Sequence, residues 1–575
     1  MSSSSLSANF VTLSSYIHTF FLVSKTVISR TLLKNIPQLL LLSTLLYGQG
    51  PTSTGALLNV AAAATGMNTI NARDLQAHLD FLSSDAAAGR GTGQPGLQVA
   101  AEYIASQFRR FGLEPFGAEG TYFQKFEVIK IQLTDDIRLM LIENQAEGWS
   151  REKFQYGEDF FVSPRGLTGS VEGQAPLVFA GYGITAPEHE WDEYAEINVK
   201  DKVVLIIDGQ PEIPGSDYFT GETETHLGDV RQKIATARSN GVAAILITFN
   251  PRSKTLFSDR LKRWERWLMQ EAMALPSPQT PAPVFFINER TANRLLSATG
   301  KSLRQLQQEI EEGTSTSSSI IGSKLFFSVA LDKETVVTQN VAGLLPGNDP
   351  ELRHETVIIS AHYDHLGIDS KGTIWHGADD NSSGTSAVLE IAEAMASNSK
   401  RAPRSFLFLA VAGEEKGLLG SHYYIEHPFI SLEDIITDLN IDMIGRNAPD
   451  SIYIIGSDMI SKDLHNMNET AAKYIDNLWL DYRYNSLDDP NRFYYRSDHY
   501  NFAKHGIPII FYFAGIHEDY HQPTDTRDKI NFSKLEKVAK LVYLTGWGMA
   551  NLKNNDWDQN LKSELQPEIP LHIKY

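Results

Sequence analysis

His362 and Asp364 stand two residues apart in SAHYDHLG, Ser360 to Gly367, just after the β-branched run Thr356-Val357-Ile358-Ile359. That run reads as a buried strand, so both polar side chains leave the core at its mouth. The stretch HGADDNSSG follows, with the acidic pair Asp379-Asp380, and leads into a helix with Ala387, Val388, Ile391, Ala394 and Met395 at helical spacing. An imidazole with nearby carboxylates is the beginning of a divalent-metal site, since one ring nitrogen binds the ion and a second carboxylate can fix the other ring N–H. Three more clusters repeat the pattern. Glu414-Glu415 follows SFLFLAVAG, Asp442 sits in LNIDMIGR, and His521 lies in HEDYHQPTDT after IPIIFYFAG. A solvated loop carboxylate or a structural histidine would account for any one of these. Four clusters, each just past an apolar strand, point together to a metal centre.

With no cysteine in the chain, disulfides, thiolate metal sites and cysteine nucleophiles are excluded. Any metal must be held by His, Asp and Glu. His362, Asp380, Glu415, Asp442 and His521 supply five ligands, and a carboxylate can bridge with its two oxygens. Such a set fits two open zinc ions roughly 3.5–4 Å apart, and two imidazoles favour zinc over magnesium or calcium. Adjacent residues cannot share one face, so one of Glu414 and Glu415 can bind metal while the other points at the bound water.

The elements that must position these residues read as strand, helix, strand, helix. Strands are expected near Leu325–Ala330, Val341–Leu345, Thr356–Ser360, Ser405–Val411, Ile435–Ile441, Ile452–Gly456 and Ile507–Phe513. Helices are expected near Gly384–Ser397, Leu418–Glu426, Lys462–Ile475 and Ser533–Met549. Near-continuous apolar strands alternating with helices predict an α/β fold, a mostly parallel mixed sheet with helices on both faces. In such sheets the site lies beyond the carboxyl ends of the strands, where the clusters fall. Upstream, DLQAHLDFLSSDAAAGRGTGQPG runs from a helix into a Gly-rich loop, and an amphipathic helix with Leu97, Ala101, Ile104, Phe108 and Phe111 on one face ends at Gly112. Residues 151–315 differ: strand-like runs at Ala175–Gly181, Val203–Asp208, Ala243–Thr248 and Val284–Asn288, one helix near Val230–Asn240, and no ligand spacing. This reads as an inserted β-rich module closed by the polar linker Thr314–Ser319.

At 575 residues, 42% hydrophobic and 21% charged, the chain is globular and long enough for more than one domain. The net charge of −19 argues against nucleic acid as a partner. Lys25, Arg30 and Lys34 precede the apolar run Ile36–Tyr47, which matches a signal peptide and leader over residues 1–50. Export to the periplasm or the medium is therefore expected, with membrane anchoring the alternative if the segment stays uncleaved. The remaining expected divisions are 71–150 as the first part of the main domain, 316–555 as its metal-bearing part, and 556–575 as a tail.

SAHYDHLG, GADDNSSG, AGEEKGLLGS, NIDMIGR, RSDHYNFAKHGIP and YHQPTDT together resemble the di-zinc exopeptidase family of secreted bacterial leucyl aminopeptidases, glutamate carboxypeptidase and the transferrin receptor. The likeness runs from about Asn71 to Leu552. GYGITAPEHEWDEYAEINVKDKVVLI and ATARSNGVAAILI look like the protease-associated (PA) domain often inserted in that family. The resemblance implies the zinc-dependent exopeptidase fold, two zinc ions and peptide substrates. It would give His362 and Asp442 to one zinc, Glu415 and His521 to the other, and Asp380 to both. Asp364 would orient His362, Glu414 would be the general base, and Tyr494 would assist the oxyanion. An aminopeptidase is expected. A carboxypeptidase or dipeptidase of the same family is the alternative, and a receptor-like binding protein the non-enzymatic one.

Overall fold

The computed structural model describes residues 58–552, apart from 146–147, 217, 220–224, 254–256, 260, 263–271 and 314–317. The expected signal segment and the 556–575 tail lie outside the described residues. Among the described residues, no helix is long and apolar enough to cross a membrane.

The organising element is one mixed sheet of 16 strands. At its centre Thr356–His362 lies between Ser405–Val411 and Ile435–Ile441, parallel to both, and Ile509–Phe513 pairs parallel with Ile435–Ile441. All four therefore end on the same edge of the sheet, and the four clusters read from the sequence follow those ends. Alternation along the strands shows why they are apolar throughout. Val357, Ile359 and Ala361 pack into one core with Phe406, Phe408 and Ala410, while Ile358, Leu407, Leu409 and Val411 pack into another. A strand buried on both faces has no position left for a solvated side chain. The first core holds the helices Ala72–Leu82, Pro95–Phe111, Gly384–Ser397 and Phe532–Ala550; the second holds side chains of Leu419–Glu426 and His499–Ala503. Pro95–Phe111 stops at Gly112, whose φ of 81° is left-handed and cheap only for glycine.

Two strands were not legible at their true length. Leu325–Ala330 and Val341–Leu345 are parts of one strand of 28 residues, Ser318–Leu345, which pairs antiparallel with the 23-residue strand Phe123–Gln145. The polar run Asp332-Lys333-Glu334-Thr335 between the two apolar stretches breaks the burial pattern but not the ladder. Of the expected linker, Ser318 and Ser319 belong to this strand and 314–317 lie outside the described residues. The ribbon joins two sets of cores. Phe126, Val128, Val341 and Leu345 pack with the metal-bearing part, whereas Ile137, Leu139, Leu141, Leu325, Phe327 and Val329 pack with the inserted segment.

The inserted strands Val171–Ala180, Val203–Ile207, Ala244–Thr248 and Val284–Ile287 form where sequence places them, and Val203–Ile207 and Ala244–Thr248 run parallel. Helices Glu289–Leu296 and Leu303–Glu311 join Val230–Ser239, which forms where Val230–Asn240 was expected, so the segment is more helical than its strand-like runs suggested.

Candidate metal centre

Four of the predicted ligands follow four different strand ends, Asp380 sits in the turn Ala378–Ser383 that leads into helix Gly384–Ser397, and the structure brings all five together. His362 is the last residue of its strand. Its Nε2 lies 3.2 Å from Asp442 Oδ1 and 3.4 Å from Asp380 Oδ1. His521 Nε2 lies 3.2 Å from Asp380 Oδ2 and 3.0 Å from Glu415 Oε2. Asp380 thus turns one carboxylate oxygen to each histidine, as a bridging ligand must.

The spacing itself tests whether a metal fits. Zinc bonds nitrogen and oxygen donors at about 2.0–2.1 Å, so the edges of a tetrahedral site measure about 3.3–3.4 Å. The four distances above cluster near that edge, and both donor sets contain imidazole nitrogen and carboxylate oxygen. The residues fit the ion. Electrostatics says the same: Asp380 is 3% exposed and Asp442 7%, and burying several carboxylates side by side demands positive charge. Burial and the neighbouring Glu415 both push Asp380 up.

His365 was missed by the sequence reading. Its Nδ1 lies 2.8 Å from Glu415 Oε1 and 3.7 Å from Asp380 Oδ2. His365, Asp380 and Glu415 are close enough to be grouped as ligands. Yet 2.8 Å is a hydrogen-bond length, and His521 has the more even distances to the same two carboxylates. His365 thus pairs with Glu415, and His521 stands between Glu415 and Asp380.

Around this centre sits a buried frame. On the far side of the His362 ring, Nδ1 is 3.2 Å from the Asp364 carbonyl and 3.7 Å from its carboxylate. Asp364 is fully buried; its Oδ1 accepts from the Glu414 N–H at 3.1 Å and its Oδ2 from the Thr92 hydroxyl at 2.8 Å. Asp442 accepts from Ser497 at 2.8 Å. The backbone N–H groups of Asp379 and Asp380 both donate to Asp525, and Asp379 itself accepts from Gly445 N–H at 2.6 Å, so it turns away from the ligand set. The Gly-rich loop has its own task. Arg90, fully buried, donates to the carbonyls of Leu82, Tyr363, His376 and Gly377, clamping both ends of the loop that follows His362.

Glu414 and Glu415 diverge electrostatically. Burial pushes Glu414 well above the usual carboxylate range, and the charges of Glu415 and Asp442 add to this against the opposing pull of His362. Burial would raise Glu415 too, but His521 and His365 outweigh it and hold it well below. For His362, burial opposes the charged ring, while Asp442 and Glu414 overcome it and raise the group well above its ordinary value.

A pocket opens beside the centre, lined by Asp380, Glu414 and Asp442 and walled by side chains that include Met443, Phe493, Arg496 and Tyr520. Tyr520 stacks on His521 with ring centres 3.9 Å apart. Tyr494 is 8% exposed and packs among Tyr495, Tyr500 and His499. The tyrosine on the pocket wall is Tyr520, whose position in YHQPTDT carried no signal of its own. A further grouping, His78, Glu390 and Glu393, lies in the helical layer, where Arg110 pairs with Glu393 at 2.8 Å.

Comparison with known proteins agrees with the geometry. Over 214 residues the chain is 30% identical to a probable leucine aminopeptidase of Arthroderma otae, covering 35% of this chain and 55% of that protein. Aminopeptidase YwaD of Bacillus subtilis is 29% identical over 217 residues, 36% of this chain and 43% of its own. The chain spans about half the length of these curated relatives. Its fold matches an aminopeptidase from Aneurinibacillus sp. strain AM-1 with a TM-score of 0.50 at 20% identity, over 84% of this chain and 95% of that one. The profile of peptidase family M28 matches residues 340–545, the stretch that holds all five predicted ligands.

Proposed function

We propose that this protein is an exported metallo-aminopeptidase that removes N-terminal residues from peptides at a centre of two zinc ions. One observation carries the reading: two His/carboxylate sets share Asp380, and Glu414 lines the pocket beside them. His362, Asp380 and Asp442 would hold one ion, and Asp380, Glu415 and His521 the other. Zinc bound there supplies a polarised carbonyl and a water acidic enough to attack near neutral pH. The chain's own residues do the rest. Glu414 takes the proton of the attacking water and delivers it to the leaving amine. A carboxylate kept above its usual range by burial is suited to both halves of that transfer. Asp364 positions His362 and the Glu414 backbone together. The free α-amine of a peptide finds a carboxylate partner at the acidic pocket, which favours an aminopeptidase over a carboxypeptidase. Export rests on the leader read in residues 1–50.

Purified protein should contain about two zinc equivalents, lose activity to a chelator and regain it with zinc. It should cleave aminoacyl substrates and leave N-acyl dipeptides intact. A metal-free protein of full activity, or cleavage confined to the N-acyl series, would overturn the proposal.

A further inference from the structure

The pocket beside the metal centre has a wall that hydrolysis alone does not explain. Met443, Phe493, Phe511, Phe513 and Ile516 line it, together with one cation, Arg496. The Arg496 guanidinium lies 5.1 Å from the centre of the Phe493 ring, and its Nη1 donates to the Asn491 carbonyl at a long 3.4 Å. Its backbone is firmly placed. The next three residues, Ser497, Asp498 and His499, are fully buried, and their side chains are tied to Asp442, Ser421 and the Tyr494 carbonyl. Arg496 is thus fixed to the floor of the metal centre at its Cα, while its head group is only partly covered.

A pocket meant for a leucine-like side chain gains nothing from a guanidinium on its wall. A side chain with methylenes near its root and a carboxylate at its end uses both features. The methylenes pack on Met443 and the phenylalanines, and the carboxylate takes two parallel N–H bonds from the planar fork. Resting on the aminopeptidase reading above, we infer that the pocket selects peptides with an acidic N-terminal residue, glutamate or aspartate, and that Arg496 is the specificity-determining residue. An N-terminal lysine or arginine would meet like charge there and is rejected.

The test uses the zinc-loaded full chain and peptides differing only in their first residue: Glu, Asp, Leu and Lys. The Glu peptide should be cleaved with kcat/KM at least equal to that of the Leu peptide, and the Lys peptide at least about 100-fold more slowly. In Arg496→Gln the Glu-to-Leu ratio of kcat/KM should fall at least about 30-fold, and Arg496→Glu should raise the Lys-to-Glu ratio. Calorimetric titration of the unaltered protein with free L-glutamate and L-lysine gives a second readout that needs no variant to fold, with glutamate expected to bind the tighter. Cleavage of the Leu peptide with the Glu peptide refused, or a Glu-to-Leu ratio unmoved in Arg496→Gln, overturns the selectivity and leaves the aminopeptidase standing. Refusal of all four peptides overturns both.

Discussion

Glu414 and Glu415 are chain neighbours shifted in opposite directions, one raised by burial and the other lowered by two histidines. That split is what the proposed roles of base for Glu414 and ligand for Glu415 rest on. Glu414→Gln should keep its metal and lose at least about 10²-fold in kcat, whereas Glu415→Gln should lose metal first; atomic absorption alongside kinetics decides, and the reverse pattern would reverse the assignment. A similar comparison separates the tyrosines. Tyr520, on the pocket wall, should lose more kcat as Phe than Tyr494, whose ring is packed among aromatics. Much of this was legible because metal ligands are a restricted set of residue types. Their supporting partners are not. Thr92, Ser497 and Asp525 act through single hydrogen bonds that any polar residue could make, and Arg90 acts on carbonyls, which have no sequence signature. His365 was hidden by its proximity to His362: two histidines three apart suggest one site, and only the fold turns the second ring toward Glu415.

At the scale of elements, three strand ends place His362, Glu415 and Asp442 and the turn before Gly384–Ser397 places Asp380, while the loop after Ile509–Phe513 must place His521. Asp519 closes that loop. It accepts from Thr524 and Lys529 at 2.6 Å and from Arg446 at 2.8 Å. Asp519→Ala should loosen His521 and weaken zinc affinity about 10- to 100-fold, measured against a chelating dye; unchanged affinity would mean the loop holds its shape without this anchor. The helical layer carries a different liability. Burial pushes Glu390 on Gly384–Ser397 up to about 7, with Asp74 and Glu393 adding to it while the Asn71 N–H opposes. An unfolded glutamate titrates near about 4.3, so the folded protein holds the extra proton between the two values. The resulting stability is complete below about 4.3 and is lost as pH rises through about 7. Glu390→Gln keeps an acceptor for Asn71 and removes the titration. Its Tm relative to the parent should therefore rise between pH 5 and pH 8, and a constant difference would refute the buried charge. Helix and strand positions were readable from apolar periodicity, which reports burial. The true length of the ribbon was not, because Asp332 to Thr335 continue its ladder with side chains that need no core.

For the whole molecule, the question is what the inserted segment does for a centre to which it gives no predicted ligand. It is not remote. Gly166, Thr168 and Thr280 line one cavity with Gly417, Leu419 and His422, just past the Glu414-Glu415 pair. Arg165, in the same loop as Gly166, lies within electrostatic reach of Glu415. The segment therefore comes close to the Glu415 side of the centre, and we propose that it restricts access there and favours short peptides over folded chains. Removing only residues 157–314 would strip the cover from Leu139, Leu141, Leu325 and Phe327 on the shared ribbon. The cut belongs where the ribbon passes from one core to the other. Ile131 pairs with Lys333 across it, so replacing residues 132–332 with Asn-Gly closes a two-residue hairpin at that pair. The shortened protein should retain its zinc, because every predicted ligand and the Arg90 clamp remain. Its KM for dipeptides should rise, and its discrimination against long peptides, read as the ratio of kcat/KM for a dipeptide to that for a ten-residue peptide, should fall. Loss of zinc from a folded shortened protein would show that the segment shapes the metal centre itself, and an unchanged ratio would show that it governs neither access nor chemistry.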